Sequence, residues 1–400
     1  MTTTVAPGTG IECDVAVVGG GLSGTLAAIM LGRAGYRVAL VDRNAVFPPE
    51  FRVEKIGGDL VSRIERIGLL DAVSANAARF DEIVNARRGR VLDRTRTPHF
   101  GFLYENLVAA MRASLPETVT LIVGRVNDLK TSSDRQQVFV HEQGMVEARL
   151  VVLATGMGDL LRRTLGMERR VIHERQSLTF GFDIRPADGS FKCSALTYYG
   201  ERVSDGIDYL SLFPTVTGMR ANLFTFRDHR DPWVKAFRES PTETLAATLP
   251  GLRKVLGDFQ VVGRVQNWIM DLAVAENCRQ DGVVLIGDAY QTSCPAAGTG
   301  FSRLLTDVER LCHVHVPQWL ATPGMTADKI GCYYDDPAKQ AADASALAQA
   351  KYRRSLTVDT GLAWRVRRLL LVWRRRLVDR LGRLSPGTVA RLRTLSGRPA

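Results

Sequence analysis

The sequence lacks paired cysteines, long apolar runs and a basic N-terminal segment. Its six cysteines are scattered along the chain, at Cys13, Cys193, Cys278, Cys294, Cys312 and Cys332. Because no Cys-x-x-Cys pair is present, reduced thiols are favoured over a disulfide framework or a zinc site. The apolar run near the N-terminus is only a few residues long, so we expect neither a signal peptide nor a membrane-spanning helix. The expected localisation is cytoplasmic.

Most of the chain also lacks excess positive charge. The formal net charge is +11, but residues 351–400 hold 14 basic and 2 acidic residues, so residues 1–350 are close to neutral. A nucleic-acid groove needs basic residues spread over a folded face, and we therefore predict no nucleic-acid partner. With 400 residues, 45% of them hydrophobic, the chain can form two or three folded units.

A glycine turn follows the first apolar run. In CDVAVVGGGLSGTLAAIMLGRAGYRVALVDR, a β-rich run leads to Gly19, Gly21 and Gly24, then to a helical stretch, and then to a second strand ending in Asp42. Glycines let the backbone approach a pyrophosphate at the helix N-terminus, and an acid placed like Asp42 accepts hydrogen bonds from a ribose. The pattern predicts a βαβ dinucleotide site, without separating NAD from FAD.

Two later segments continue the pattern of strands and turns. VTLIVGRV, QQVFVHE and VEARLVVLATG predict a β-meander ending in a strand over residues 150–154. In VVLIGDAYQTSCPAAGTG, an apolar run ends in Gly287-Asp288, and Pro295, Gly298 and Gly300 follow at close spacing. Residues without large side chains predict a loop whose backbone N–H groups approach a ligand.

In this order, the three segments make the sequence resemble the FAD-dependent monooxygenases of the p-hydroxybenzoate hydroxylase type. The resemblance implies an α/β fold, with a glutathione-reductase-type FAD-binding Rossmann domain, an inserted antiparallel-sheet substrate domain and a helical C-terminal tail. The expected FAD-binding parts are residues 10–172 and 264–332. The expected substrate domain is 173–263, and the basic helical region is 333–400.

The resemblance also implies which residues bind the cofactor. Asp288 is expected on the ribityl chain of the flavin, and the loop beginning at Pro295 is expected at its pyrimidine end. Arg52 is expected near the mobile ring, so Arg52 and Pro295 are the implied catalytic residues; the alternative for Arg52 is a solvated or phosphate-binding arginine. The implied FAD-binding set is Gly19, Gly21, Gly24, Asp42, Arg43, Arg52, Arg125, Gly156, Gly287, Asp288, Pro295, Gly298, Thr299 and Gly300.

The sequence departs from the family pattern in three places. Thr155-Gly156 and Asp159 stand where the second fingerprint usually has Asp-Gly and Ser, although Arg162 is kept. Gln291 and Ser302 replace a His and an Asn that are often found in the family. In the family, the second fingerprint is linked to both FAD and NAD(P)H. Its change at Thr155 and Asp159 therefore bears on which reductant is used and how it binds.

Residues 173–265 are predicted to form an aromatic antiparallel sheet. Phe180 and Phe182 share one face of their strand, as do Phe224 and Phe226 of theirs. We expect the aromatic face to cover the flavin and to enclose an apolar substrate cavity, although each ring taken singly is better explained as core. His173 and Tyr209 lie in this region, but a lone His or Tyr is more often structural, and no general base is assigned.

The implied reaction uses NAD(P)H and O2 to hydroxylate an aromatic or polyketide-like small molecule through a flavin C4a-hydroperoxide. One alternative is a flavin-dependent reductase of prenyl or lipid chains, since YLSLFP partly matches a strand of geranylgeranyl reductases. A flavin halogenase and a non-catalytic flavoprotein are less favoured. Cys312-His313-Val-His315 has a metal-like pattern but no partnering carboxylates, so we predict no metal site.

The basic tail has an amphipathic pattern. In GLAWRVRRLLLVWRRRLVDRLGRL, one helical stripe collects Leu362, Val366, Leu369, Leu370, Trp373, Leu377 and Leu381. The stripe is expected either to pack on the protein's own domain or on a second subunit of a homodimer, or else to lie on an anionic membrane through residues 362–384. Packing on protein is favoured, and Arg380 intrudes on the stripe.

Overall fold

The computed structural model describes residues 10–50 and 52–384 of the chain. The strands are β1 (Ile11–Val18), β2 (Val38–Asp42), β3 (Val53–Gly57), β4 (Ala78–Phe80), β5 (Ile83–Arg87), β6 (Arg90–Thr95), β7 (His99–Leu103), β8 (Val119–Val123), β9 (Val126–Lys130), β10 (Gln136–Val140), β11 (Gly144–Leu153), β12 (Arg169–Pro186), β13 (Leu196–Tyr199), β14 (Ile207–Thr215), β15 (Gly218–Thr225), β16 (Phe259–Ala275) and β17 (Val283–Leu285).

The helices are α1 (Leu22–Arg33), α2 (Asp59–Arg66), α3 (Leu70–Ser74), α4 (Tyr104–Ala113), α5 (Leu160–Thr164), α6 (Pro232–Glu239), α7 (Pro241–Thr248), α8 (Leu252–Leu256), α9 (Gly300–Arg310), α10 (Val316–Leu320), α11 (Ala327–Tyr334), α12 (Pro337–Val358) and α13 (Leu362–Leu384). The expected mixed α/β fold with a helical C-terminal region is confirmed. Residues 385–400 of that region lie outside the described residues.

Within the described residues, the chain divides into two compact units. Unit 1 takes residues 10–49, 105–174 and 271–349, and unit 2 takes 50–104, 175–270 and 350–384, residue 51 excepted. The expected domain bounds placed 50–104 with the cofactor-binding part. The segment joins unit 2 because its strand β5 pairs in parallel with β13 and so extends the large sheet of that unit.

Unit 1 is built on a sheet with strand order β8-β2-β1-β11-β10-β9, in which β17 also pairs with β11. Strands β8, β2, β1, β11 and β17 are parallel, whereas β9 and β10 are antiparallel. Parallel strands covered on both faces are apolar throughout, and residues 15–18 and 38–41 are all buried. The predicted βαβ unit is present as β1-α1-β2. The β-meander is β9-β10-β11, so the prediction is wrong for its first run, VTLIV, which forms β8 and pairs in parallel with β2.

Unit 2 contains a seven-stranded sheet, β16-β12-β15-β14-β13-β5-β6, and a three-stranded sheet, β3-β7-β4. Helices α6–α8 contribute apolar side chains to the core on one face of the larger sheet. The rings of Phe180 and Phe182 lie 5.1 and 5.5 Å from the ring of Phe237 on α6, and both are fully buried. These two phenylalanines therefore belong to the hydrophobic core.

The structure corrects the prediction of one aromatic face over a cavity. In the β12–β15 register, Phe180 pairs with Leu223, whereas Phe224 pairs with Thr179. Residues paired across antiparallel strands point to the same face, so Phe180 and Phe224 lie on opposite faces of the sheet. The period of two correctly placed Phe180 and Phe182 on one face of β12, but Phe226 lies beyond the end of β15. The period also did not show which face of the sheet receives the helices.

Across residues 10–50 and 52–384, no helix combines the length and the apolar composition that crossing a membrane requires.

Candidate functional site

The turn between β1 and α1 can hold no side chain at two of its glycines. A Cβ on Gly24 would lie 1.9 Å from the carbonyl oxygen of Gly19, and a Cβ on Gly19 would lie 2.5 Å from that of Ala154. Gly19 also has a φ of 106°, which favours glycine. Helix α1 begins after Gly21 without a side-chain cap and without an acidic residue in its first turn. Its N-terminus is thus suited to an anion such as pyrophosphate.

Asp42 closes the same turn from the end of β2. Its carboxylate accepts hydrogen bonds from the backbone N–H of Gly20 at 2.6 Å and of Asn44 at 2.8 Å. Arg112 on α4 lies 3.2 Å from Asp42 and donates to the carbonyl oxygens of Gly20 at 2.6 Å and Asn44 at 2.8 Å. Arg112 therefore fixes the turn relative to β2, and it was missed because no motif surrounds it.

Three other predicted cofactor contacts are open to solvent or to unfilled space. Arg43 and Arg125 are exposed. Gly156 has a φ of 60°, and a Cβ there would meet nothing within 4 Å. Nearby, Arg162 is buried against Asp159, but its Nε has no hydrogen-bond partner among the described residues. These positions leave room for a ligand.

The second glycine-rich segment lies beside the first. A Cβ on Gly287 would lie 3.1 Å from Ser23 Oγ, two residues after Gly21, so the two turns meet within unit 1. Gly287 has a φ of 62°, and its N–H donates to Asp307 Oδ2 at 3.1 Å. The carboxylate of Asp288 is one-third exposed, with the Arg303 guanidinium 3.6 Å away. It therefore keeps room to accept hydrogen bonds from hydroxyl groups.

A buried cluster of charged side chains from α9 and α12 packs against this segment. Lys339 of α12 lies 3.1 Å from Asp307 and 2.7 Å from Asp343, and Arg303 of α9 lies 3.1 and 3.2 Å from the same two carboxylates. Arg303 also donates to the carbonyl oxygen of Gln291 at 2.5 Å. Although burial lowers the pKa of Arg303, the neighbouring carboxylates raise it overall. Arg303 therefore stays charged, and its hydrogen bonds fix the backbone around Asp288.

The segment ends at the N-terminus of α9. Pro295 opens a short 3-10 turn, Gly298 has a φ of 67°, and α9 starts at Gly300. Thr299 stands at the N-cap, yet its buried Oγ1 has no hydrogen-bond partner among the described residues. First-turn amides of a helix have no intrahelical acceptor. The unpaired Thr299 hydroxyl and these amides can all donate hydrogen bonds. They therefore suit a polar ring that carries acceptor atoms, such as the isoalloxazine ring of FAD.

Arg52 belongs to unit 2, near the start of β3. Its exposed guanidinium lies 4.1 Å from the ring centroid of Tyr104 and 2.5 Å from the Glu50 carboxylate. The ion pair and the cation–π contact hold the arginine at the protein surface. Its predicted part in catalysis stays a proposal.

A lysine that sequence reasoning missed lies on the three-stranded sheet of unit 2. Lys55 is paired with Gly101 in the β3–β7 register, and its Nζ lies 5.8 Å from the Phe213 ring centroid. Among the described residues, no hydrogen bond or ion pair holds the partly buried ammonium. Burial lowers the pKa of Lys55 from 10.5 to about 8. A desolvated cation without a carboxylate can accept an anionic ligand.

His99 completes this cluster on β7. Its ring stacks on Phe80 at 5.4 Å, and Phe80 stacks on Phe213 at 6.4 Å. Nδ1 lies 2.6 Å from the carbonyl oxygen of Thr97, to which it donates in the neutral ring. Burial and the Lys55 charge outweigh that hydrogen bond and lower the pKa of His99, so the imidazole is neutral at pH 7. The three rings therefore form a stacked row, and Phe213 at its end lies beside the Lys55 ammonium.

The Cys312–His315 pattern has structural partners. His315 Nε2 lies 3.0 Å from Asp336 Oδ2, and Cys312 Sγ lies 3.8 Å from the carbonyl oxygen of Ala27. Across residues 10–50 and 52–384, no cluster of three His, Cys, Asp or Glu residues is arranged to hold a metal ion. The histidine supports the helix that follows α9.

Comparisons with known proteins agree with this geometry. A family model described as "FAD binding domain" matches residues 12–314. Aklavinone 12-hydroxylase of Streptomyces peucetius is 27% identical, with 74% of this chain and 66% of that protein covered. Digeranylgeranylglycerophospholipid reductase 1 of Methanopyrus kandleri is 26% identical, with 74% and 78% covered. This chain thus spans about two thirds of the length of the aklavinone hydroxylase.

A solved structure shares the fold over nearly the whole chain. The p-nitrophenol 4-monooxygenase of Pseudomonas putida DLL-E4 aligns with a TM-score of 0.72 at 18% identity, covering 98% of this chain and 100% of that one. The expected cofactor, FAD, is confirmed by the family, for which NAD(P)H is the typical reductant. Because the family model covers most of the chain, the protein belongs to the FAD binding domain family.

Proposed function

We propose that the protein is an FAD-dependent monooxygenase that uses NAD(P)H and O2 to hydroxylate an aromatic or polyketide-like small molecule. The supporting observation is the meeting of two glycine-rich turns in unit 1, where Gly287 lies against Ser23 of α1. One turn suits a pyrophosphate and the other a flavin ring, so one dinucleotide can use both. When bound in this site, FAD would supply the redox chemistry, namely acceptance of a hydride from NAD(P)H and activation of O2 for hydroxylation of the substrate.

Each unit has its own part in this proposal. Unit 1 is the glutathione-reductase-type FAD-binding domain, and unit 2 is the antiparallel-sheet substrate domain. In unit 1, Gly19, Gly21 and Gly24 admit the pyrophosphate to α1. Asp42, Arg43, Arg125 and Gly156 remain proposed contacts of the same cofactor, as do Gly287, Asp288, Pro295, Gly298, Thr299 and Gly300. Arg52 and Pro295 remain the proposed catalytic residues.

Lys55 indicates what kind of substrate unit 2 binds. Oxygen transfer to an aromatic carbon is easier when a hydroxyl on the ring is ionised, because the phenolate is richer in electrons. The Lys55 ammonium is partly desolvated, has no carboxylate partner among the described residues and lies near the Phe213 ring. It would stabilise such a phenolate. The neighbouring Phe213 and Phe80 are buried in a hydrophobic cluster, which keeps water from one side of the ammonium.

A second candidate is a flavin-dependent reductase of prenyl or lipid chains. The Methanopyrus kandleri relative is a digeranylgeranylglycerophospholipid reductase, and 78% of its length is covered. The exposed apolar residues of α13 are compatible with work at a lipid surface. Lys55 alone does not separate the two candidates, since a glycerophospholipid also carries an anion, its phosphate.

Measurement of O2 uptake distinguishes the two candidate functions. FAD-loaded protein is given NADPH with a panel of phenols, aromatic polyketides and prenyl lipids, while NADPH oxidation and O2 uptake are followed. A hydroxylase consumes O2 faster with a phenol present and places one atom from isotopically labelled O2 in the product. Saturation of a prenyl chain without O2 uptake identifies the reductase. Protein that binds FAD but oxidises no NADPH with any compound contradicts both.

A further inference from the structure

Helix α13 turns an apolar stripe away from the protein. Six residues at helical spacing are each 46–77% exposed, namely Leu362, Val366, Leu369, Leu370, Trp373 and Leu377. Contiguous exposed apolar side chains of this size mark an interaction surface. The expectation that this stripe packs on the protein's own domain is wrong for these residues. The side chains of residues 378–384, including Leu381 and Arg380, lie outside the described residues.

The opposite face of α13 is anchored to unit 2. Arg375 lies 3.3 Å from the carboxylate of Asp93 on β6. Arg368 donates hydrogen bonds of 2.9 Å to the carbonyl oxygens of Leu356 and Asp359. These contacts hold the helix in one rotation about its axis. The contacts of Arg375 and Arg368 within unit 2 therefore determine that the apolar stripe faces outward.

Arginines border the stripe on both sides. With about 100° of rotation per residue, Arg365 and Arg376 fall beside one edge of the stripe, and Arg367 and Arg374 fall beside the other. Arg374 and Arg376 are exposed, and neither has a hydrogen bond or ion pair among the described residues. Residues 361–377 contain no Asp or Glu. The outward face is thus apolar in the middle and cationic at both rims.

We propose that this face of α13 docks in the plane of an anionic lipid membrane. The stripe would enter the boundary between head groups and acyl chains, and the bordering arginines would extend their stems to the lipid phosphates. From residue 362 to 377 the stripe is about 22 Å long, so it lies along the surface.

Charge argues against a second copy of the helix as the occupant. Two α13 helices packed stripe to stripe would bring the bordering arginines of both copies together without a carboxylate in residues 361–377. Like charges at such distances repel, and the repulsion is strongest at low salt. Anionic lipid head groups supply the missing countercharge. The proposal concerns a surface of unit 2 and does not depend on the catalysed reaction.

Vesicle flotation of the full chain tests the proposal. The protein is mixed with vesicles of phosphatidylcholine alone, or with vesicles that also contain phosphatidylglycerol. Binding is expected only when phosphatidylglycerol is present, and it should weaken as salt is added. Leu369→Ser combined with Trp373→Ser should lower the affinity about tenfold or more. Arg374→Gln with Arg376→Gln should lower it about fivefold for each arginine removed.

Matched variants elsewhere on unit 2 control for the loss of charge and apolar surface. Val216 is 52% exposed, and Arg185 and Arg230 are exposed. Val216→Ser, and Arg185→Gln with Arg230→Gln, should leave flotation unchanged. Because the residues replaced on α13 are on its exposed side, all variants should keep the wild-type circular dichroism.

Three results would overturn the proposal. They are equal flotation with both vesicle types, no flotation with either, and helix variants that float like the controls. A fourth result would replace it. If light scattering finds a dimer that the Leu369→Ser, Trp373→Ser variant separates into monomers, and no vesicle binds either protein, the stripe is covered by a second copy of the chain.

Discussion

Replacement of Lys55 by methionine should stabilise the protein while weakening its reaction with phenols. Burial lowers the pKa of Lys55 from 10.5 to about 8. At about 1.36 kcal/mol per pKa unit, keeping this ammonium charged costs the folded state about 3 kcal/mol at neutral pH. The side chain is still partly exposed, so we expect Lys55→Met to raise the free energy of unfolding by about 1–3 kcal/mol.

The pH dependence of this gain has a definite sign. Between about pH 8 and 10.5 the unfolded chain holds the lysine proton and the folded protein does not, so wild-type stability rises with pH through that window. The advantage of Lys55→Met is therefore full below about pH 8 and shrinks as the pH approaches 10.5. The neutral His99 adds no charge to Lys55 at these pH values.

Urea unfolding at about pH 7 and about pH 9.5 measures the effect. Lys192 of unit 2 is exposed, and Lys192→Met should change stability by less than about 0.5 kcal/mol. With a phenolic substrate, Lys55→Met should lower kcat/KM by about tenfold or more, because an ion pair with the phenolate is lost. A variant that is no more stable than wild type at pH 7, with the same unfolding slope, would refute the reasoning.

Three further predictions concern unit 1. Gly24→Ala places a Cβ 1.9 Å from a backbone oxygen and should abolish retention of FAD on gel filtration, whereas Gly361→Ala, with nothing within 4 Å, should retain it. Asp288→Asn should weaken FAD binding about tenfold, measured by fluorescence titration of the apoprotein, and unchanged affinity would remove Asp288 from the cofactor site. Lys339→Met leaves the buried Asp307 with one cation fewer and should lower the free energy of unfolding by about 3–5 kcal/mol; a change below about 1 kcal/mol would contradict the stabilising role of the buried pair.

Local spacing was enough to predict the first glycine turn. The strand, the turn, helix α1 and the acid at position 42 lie within one stretch of chain, so the sequence alone shows their order and geometry. Arg112 could not be found in this way. It reaches the turn from α4, about 90 residues later, and its own surroundings have no distinctive pattern.

Burial against another element was harder to predict than periodicity. Lys339 lies in a helix whose sequence, PAKQAADASALAQAK, is typical of a solvated surface, yet its side chain is fully buried. Its partner Asp307 comes from α9, and only the packing of the two helices makes the pair. Phe180 and Phe182 are core residues, as expected for each ring singly. The expectation that their face covers the flavin was wrong for the same reason, because α6 covers that face. Lys55 was missed because a lysine in a short strand is usually solvated.

The most direct test of the central claim is the flavin content of the purified full-length protein after incubation with FAD and gel filtration. If the turns at Gly19–Gly24 and Gly287–Gly300 together hold one cofactor, the protein should retain one FAD per chain and show the visible absorption of oxidised flavin, which NADPH should bleach in the absence of O2. Folded protein that emerges colourless, with all the FAD in the small-molecule fractions, would contradict the account.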